Sequence, residues 1–322
     1  MKKILIIHTG GTISMQEDAA TGEVKQGKMN PLLTSIYDVQ AANINTIELF
    51  FLPSPHITPN HMLHLKETII EQFEKEGLDG IVVTHGTDTL EETAFFLDIT
   101  TKLPVPIVMT GAMRSSNELG SDGLYNLLSA IKVASSEQAK ELGVLVVMND
   151  EIHAAANVTK THTSNIATFR SPQYGPIGVV NKSGVFFHNR PIQQRQFQIK
   201  NLTKNVLLLK AYAGMDHSIL EALEPLQMDG LVIEALGQGN LPPMMLPGIK
   251  SLLNKHIPII IVSRCFNGIV QDVYSYEGGG KHLKQLGAIF SNGLNGPKAR
   301  IKLMIALEST SSQKEIEEIF TF

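Results

Sequence analysis

Three short apolar runs, each ending in threonine beside glycine, constrain most strongly what this chain can fold into. Ile4-Leu5-Ile6-Ile7 runs into Thr9-Gly10-Gly11-Thr12-Ile13, Ile81-Val82-Val83 into Thr84-His85-Gly86-Thr87-Asp88-Thr89, and Ile107-Val108-Met109 into Thr110-Gly111-Ala112. Continuous apolar runs of this length, without polar alternation, mark strands covered on both faces, as in parallel sheets. Helical spacing fills the gaps between strands. Met62, Leu65, Ile69 and Phe73 share one stripe that Gly77 stops, Thr89 to Thr101 opens with Glu91 and Glu92 at its positive end, and Gly123 to Ser135 places Leu124, Leu127, Leu128 and Ile131 on one side. With further strands at Thr46 to Leu52 and Gly143 to Met148, the alternation predicts an α/β fold with a doubly wound, mainly parallel sheet. Its working edge is the carboxyl end of the strands.

The 322 residues suffice for two cores. From Phe169 to Pro191 the pattern breaks into Gly- and Pro-punctuated pieces, and Ile192 to Lys204 has the mixed polarity of a connector. The expected organisation is an N-terminal catalytic domain over 1–191, a linker over 192–204 and a smaller C-terminal α/β domain over 205–322. That second domain is read from strands at Asn205 to Tyr212, Gly230 to Ala235 and Ile257 to Val262, helices near Ser218 to Leu223 and Leu246 to Asn254, and two closing amphipathic helices near Lys298 to Leu307 and Lys314 to Phe320. A net charge of −4 with no basic block argues against a nucleic-acid partner. No apolar stretch approaches the roughly 20 residues of a spanning helix, so no membrane partner is expected. Cys265 has no second cysteine to pair with, which fits a reducing compartment. The apolar run after Met1-Lys2-Lys3 is too short for a signal-peptide core and reads as the first strand, so the expected location is cytoplasmic.

The chemistry is expected where strands end. Gly10-Gly11 lacks dinucleotide-fingerprint spacing and no Gly-Lys-Ser follows it, which leaves a tight turn or a catalytic element. His85-Gly86-Thr87-Asp88-Thr89 puts hydroxyls and a carboxylate at a helix start, where such residues also serve as caps. A threonine hydroxyl attacks only once a base removes its proton, and a lysine can do so directly or through another hydroxyl. Lys160, in the polar stretch Thr159-Lys160-Thr161, is the candidate, and Asp88 either holds that lysine or fixes a substrate ammonium. Thr12 is read as the nucleophile and Thr9 as structural. Ser14 to Pro31, polar and without periodicity, is read as a lid or a disordered connection beside it. His61 and His64 sit on a helix without a third ligand, so no metal is expected.

Together, Thr9-Gly10-Gly11-Thr12-Ile13 and Val83-Thr84-His85-Gly86-Thr87-Asp88-Thr89-Leu90-Glu91-Glu92-Thr93 resemble the paired signature of the bacterial-type L-asparaginase family. Met109 to Arg114, Val158 to Thr161, Gly237 to Leu241 and Leu294 to Arg300 extend the resemblance over nearly the whole chain. It implies an L-asparagine amidohydrolase without metal or organic cofactor, in which Thr12 forms an acyl-enzyme and Lys160 acts through Thr87. Ser54 would bind the substrate α-carboxylate and Asp88 the α-ammonium. Gly11, Gly86 and Ala112 would belong to the substrate surface, with main-chain N–H groups in the glycine turn and near Ala112 as oxyanion donors, a role worth about 2.7 to 4 kcal/mol each. The family builds its site across an intimate dimer and usually forms a homotetramer, so Asn240 and Glu277 are candidates for a group donated by a partner subunit. Two departures concern specificity: Ser14 to Pro31 lacks the tyrosine many members carry, with Val24 nearest its place, and Pro55 follows Ser54 where many have glutamine or serine. From Pro55, glutamine is expected to be a poor substrate. Other readings are the amidase subunit of a tRNA-dependent amidotransferase, disfavoured because the chain starts at its first core strand, and a non-catalytic amino-acid-binding protein on the same scaffold, which would be expected to lose Thr12, Thr87 or Lys160.

Overall fold

The computed structural model describes residues 1–18, 21–26, 42–291 and 293–321. The chain divides into two units, Met1–Gln196 and Phe197–Phe322.

The first unit is built on one eight-stranded sheet. Strands β1 (Lys2–Gly10), β4 (Ala42–Leu52), β5 (Gly80–Thr84), β6 (Ile107–Thr110) and β7 (Val144–Met148) are parallel, in the spatial order β4-β1-β5-β6-β7. Numbering only these five by appearance gives 2-1-3-4-5, a doubly wound order whose direction reverses between β1 and β5. Ligand crevices open at that switch point, beyond the carboxyl ends of the strands. β8 (Glu151–Ala154), β11 (Gly178–Asn181) and β12 (Gly184–Phe187) extend the sheet antiparallel, so the broken pattern after Phe169 hides two strands, of which β12 forms the edge. β5 and β7 are buried at every residue, as their unbroken apolar runs require.

Helices α1 (Pro59–Glu76), α2 (Leu90–Thr100) and α3 (Gly123–Ala134) lie between the strands. Gly77 ends α1 in the left-handed conformation at φ 60°, as its place after the apolar stripe predicts. α3 buries Leu127, Ala130, Ile131 and Ala134 with Ile4, Ile6, Val82 and Val108 in one core. Leu124 departs from the expected stripe and faces out, while Asn126 takes an inward place. Within the polar segment after Thr12, Met15–Glu17 (β2) and Val24–Gln26 (β3) form an antiparallel hairpin. Strands this short carry no readable period. The remaining residues expected to form the lid, 19–20 and 27–31, lie outside the described residues, whereas Val24 is half exposed on β3.

The second unit is a four-stranded parallel sheet in sequential order, β13 (Val206–Lys210), β14 (Gly230–Ala235), β15 (Ile259–Ser263) and β16 (Ile289–Phe290). α4 (Ser218–Leu223) and α5 (Leu246–Asn254) stand where their apolar residues place them. A further helix, α6 (Gly280–Leu286), follows a glycine-rich stretch in which no helix was expected. α7 (Gly296–Ser309) packs on β13, β14 and β15 and is not amphipathic, which corrects the sequence expectation. Its Lys298 and Lys302 are buried with Ile301, Leu303 and Ile305. The Lys302 ammonium lies 5.2 Å from the ring centroid of Phe320, on α8 (Gln313–Thr321). No described helix is long and apolar enough to cross a membrane.

Two buried imidazoles stand where β1 and β5 end. His8 Nδ1 meets Thr84 Oγ1 at 2.8 Å, and His85 lies between Gly86 O at 2.8 Å and Thr93 Oγ1 at 3.0 Å. Burial depresses both from the usual 6.5 to about 4. The unfolded chain therefore binds more protons than the folded chain between those values. Their contribution is complete above pH 6.5 and is lost as pH falls toward 4, by about 3 kcal/mol per residue. Urea unfolding at pH 7 and pH 4.5 should show the loss, and His8→Gln, which keeps a partner for Thr84 Oγ1 but does not titrate, should make the dependence shallower.

Candidate active site

The site is assembled from the ends of β1, β4 and β5. Gly10 and Gly11 leave β1 with φ of 99° and 84°, values that L side chains rarely adopt. Space is equally restrictive at Gly11, where a Cβ would lie 2.2 Å from Gly86 Cα. Gly86 in turn has no room for a Cβ, which would stand 2.7 Å from Ser54 Cβ. The turns after β1, β4 and β5 therefore pack in direct contact. Thr12 opens the one-turn helix Thr12–Ser14 that follows this contact and is partly accessible. Thr9 is buried and donates its hydroxyl to Thr84 O at 2.9 Å, tying β1 to β5, the structural part expected of it.

Lys160 reaches this edge from a short hairpin, β9 (Thr159–Lys160) paired with β10 (Phe169–Arg170). The buried ring of Phe169 anchors it, and Thr161 N–H and Oγ1 both donate to Thr168 O, at 2.8 and 2.7 Å. Lys160 Nζ lies 2.9 Å from Thr87 Oγ1 and 2.7 Å from Asp88 Oδ1, so the three polar residues predicted to work together do meet. Their roles are not capping. The residue preceding α2 is Thr89, whose side chain caps nothing and instead donates to Ser54 O at 2.9 Å. Thr87 is buried, whereas the Asp88 carboxylate is half exposed and open to a ligand.

Ser54 is held in this arrangement by accepting Asp88 N–H at 3.1 Å. A hydroxyl that accepts from the protein keeps its own hydrogen to donate, which suits a carboxylate ligand. Gly111 packs against Thr87, a Cβ there lying 3.2 Å from Thr87 Cγ2, and Ala112 is buried next to it. The expected oxyanion donors separate on hydrogen-bond accounting. Gly11 N–H is already given to Leu52 O at 3.1 Å, and the N–H groups of Met113 and Arg114 go to the Asp122 carboxylate at 3.0 to 3.1 Å.

Residues not singled out from sequence support these turns. His85 meets a carbonyl, Gly86 O, through Nδ1, so Nδ1 carries the proton and Nε2 accepts from Thr93. Asp122 precedes α3 and reads as a helix cap, yet its carboxylate serves the Met113–Arg114 turn. Asn126 donates to Gly111 O and accepts from Asn149 N–H. Only its spacing among apolar residues of α3 hinted at an inward polar contact.

Asn240 and Glu277 belong to the second unit and occur there in one cluster. Asn240 Oδ1 accepts Gly280 N–H at 3.1 Å, Leu241 N–H donates to Gly278 O at 2.9 Å, and Glu277 lies exposed on the loop so held. No group of three metal-binding side chains occurs among the described residues.

Residues 3–193 match the family described as Asparaginase, N-terminal, and residues 205–320 the Glutaminase/Asparaginase C-terminal domain. The chain is 40% identical to the Probable L-asparaginase of Deinococcus radiodurans, covering 100% of this chain and 98% of that one, and 35% identical to the L-asparaginase of Bacillus licheniformis, covering 96% of each. Among solved structures it is similar to the Probable Cytoplasmic L-asparaginase from Campylobacter jejuni, with a TM-score of 0.88, 33% identity, and 100% and 99% of the two chains covered.

Because Gly11 combines a left-handed φ with a Cβ position inside Gly86, Gly11→Ala should cost roughly 1–3 kcal/mol through overpacking and backbone strain. Thermal melting should register the loss as a lowered midpoint.

Proposed function

This chain belongs to the asparaginase family, and we propose that it is an L-asparagine amidohydrolase, releasing L-aspartate and ammonia. The observation that carries this reading is the contact of Lys160 Nζ with both Thr87 Oγ1 and Asp88 Oδ1, beside the turn that presents Thr12. Thr12 Oγ1 attacks the side-chain amide carbon as its proton passes by way of Thr87 Oγ1 toward Lys160, the lysine acting as an amine in this step. The tetrahedral oxyanion is met by main-chain N–H groups of Thr12 and Ala112, since those of Gly11, Met113 and Arg114 are spent elsewhere. The C–N bond breaks, the nitrogen takes a proton and leaves as ammonia, and an ester on Thr12 remains. Water then attacks that ester, gives up its proton by the same route, and frees aspartate and the Thr12 hydroxyl. Ser54 donates to the α-carboxylate and Asp88 receives the α-ammonium. No step calls for a metal or an organic cofactor.

The retained constellation supports catalysis over a binding-only role. Purified protein should release ammonia from L-asparagine, and Thr12→Ala or Thr87→Ala should each lower kcat by roughly 10³-fold or more with an unchanged melting midpoint. Full activity in Thr12→Ala would overturn the mechanism. L-Glutamine measured alongside should give the lower kcat/KM, as Pro55 suggests.

We also assign the protein to the cytoplasm and to a homo-oligomer, a dimer of intimate dimers. The second unit exposes Phe266, Val273, Tyr274 and Tyr276 at 59, 57, 44 and 54%. The Tyr274 and Tyr276 rings lie 5.5 Å apart, and exposed apolar side chains of this kind support contact with another protein surface. The loop held by Asn240 carries Glu277 among them, consistent with a side chain given to a neighbouring subunit. Light scattering should report a mass of several 35.3-kDa chains, and Tyr276→Glu should shift it toward the monomer.

A further inference from the structure

The hairpin after Thr12 has too few residues to hold itself in place. β2 and β3 are three residues each, and an isolated two-stranded ribbon is at best marginally stable in water. Its outer edge is paired from elsewhere. Successive backbone groups of a strand alternate in direction, so Met15 and Glu17 present theirs to the same side. On that side stands the loop after β6. Ser116 N–H and Ser116 Oγ both donate to Met15 O, at 3.1 and 3.0 Å. Asn117 Oδ1 accepts Glu17 N–H at 2.7 Å and Asn117 Nδ2 donates to Glu17 O at 2.7 Å. A primary amide has the donor and acceptor of a peptide group, so Asn117 supplies with one side chain the rung that a third strand would have made.

This pairing continues to the nucleophile. Met15 N–H donates to Thr12 O, closing the turn that carries Thr12, so the short strand held at Glu17 by Asn117 and at Met15 by Ser116 is bonded at its start to Thr12. The loop at the other end is itself fixed. Asp122 accepts from Met113 and Arg114, Arg114 Nη1 donates to Gly120 O at 3.0 Å, and Ser115 N–H donates to Glu118 at 3.2 Å. The same loop begins at Ala112.

We propose that Asn117, with Ser116, is a positioning residue for Thr12: its amide acts as a substitute strand that fixes the backbone after the nucleophile. The proposal rests on the functional reading above for its catalytic consequence but not for its structural one. The Asn117 pair is exposed, so its loss should move global stability little. Nucleophile placement is far more sensitive, a displacement of about 1 Å costing up to 10²-fold.

The test compares Asn117→Ala and Asn117→Asp with wild type in two measurements. The aspartate variant would keep an acceptor for Glu17 N–H but lose the donor to Glu17 O. Turnover of L-asparagine should fall about 10- to 100-fold in kcat for Asn117→Ala and several-fold for Asn117→Asp, with KM changed less than kcat and the melting midpoint within about 2 °C of wild type. Hydrogen exchange resolved at Met15, whose N–H bonds Thr12 rather than Asn117, should lose protection in the same order. Unchanged Met15 protection, or kcat within about twofold of wild type in both variants, would overturn the proposal, as would a drop in kcat matched by global unfolding in both. A wild-type protein inactive toward L-asparagine, with Met15 protection still dependent on Asn117, would overturn the functional reading and leave the positioning role standing.

Discussion

The whole site hangs on one contact, the approach of Gly11 to Gly86 where β1 and β5 end side by side. Any side chain at either place would push the turns apart, since the nearest atoms at Gly11 are main-chain atoms of the facing turn. The contact also lies at the point where the strand order of the parallel sheet reverses. Crossover helices on the two sides of that point lead away from each other and leave a crevice between the strand ends. Thr12 follows the turn after one of these strands, and Thr87 and Asp88 stand in the turn after its neighbour. The depth of burial of β1 and β5 below them makes the placement rigid.

Around this contact the polar groups are allotted with little redundancy. Lys160 divides its Nζ between a hydroxyl and a carboxylate, Ser54 accepts from the protein and keeps a hydrogen to donate, and His85 is held in one tautomer by a carbonyl. The imidazoles of His8 and His85 lie behind the strand ends, where burial keeps them neutral. Their hydrogen bonds to Thr84, Gly86 and Thr93 brace the frame. The turn after β6 is shaped by Asp122 and Asn126 in a similar way, one carboxylate and one amide standing in for missing backbone partners. Asn117 extends that use of side chains to the hairpin after Thr12.

Much of the first unit was legible in the sequence. Unbroken apolar runs identified β5, β6 and β7, the stripe on α1 buries Met62, Leu65 and Ile69 and the helix stops at Gly77, and the threonine and glycine residues stand at the strand ends where Thr87, Asp88 and Lys160 meet. What the sequence left unseen has physical causes. β2 and β3 are too short and polar to show a period, and the partner of Glu17 on their outer edge is Asn117, a hundred residues further on. The stretch that became α7 is expected to be amphipathic from its sequence, yet Lys298 and Lys302 are buried, and the Lys302 ammonium faces Phe320 on the closing helix. Leu124 was counted inward because a hydrophobic residue at helical spacing normally is, but the inward place went to Asn126, which has a carbonyl to satisfy.

By itself the sequence determined the alternation of elements, the identity of the hydroxyls and carboxylate at the strand ends, and the glycines without which the turns could not close. These are local properties, carried by side-chain type and by φ. Tertiary structure alone decided which of them meet. Nothing in the spacing of Thr87 and Lys160 places them 2.9 Å apart, because the distance is set by a hairpin packed through Phe169 and by the order of strands in the sheet. Nor could the sequence show that Gly11 N–H is already given to Leu52 O. Hydrogen bonds between distant segments are decided by geometry that only the packed chain possesses.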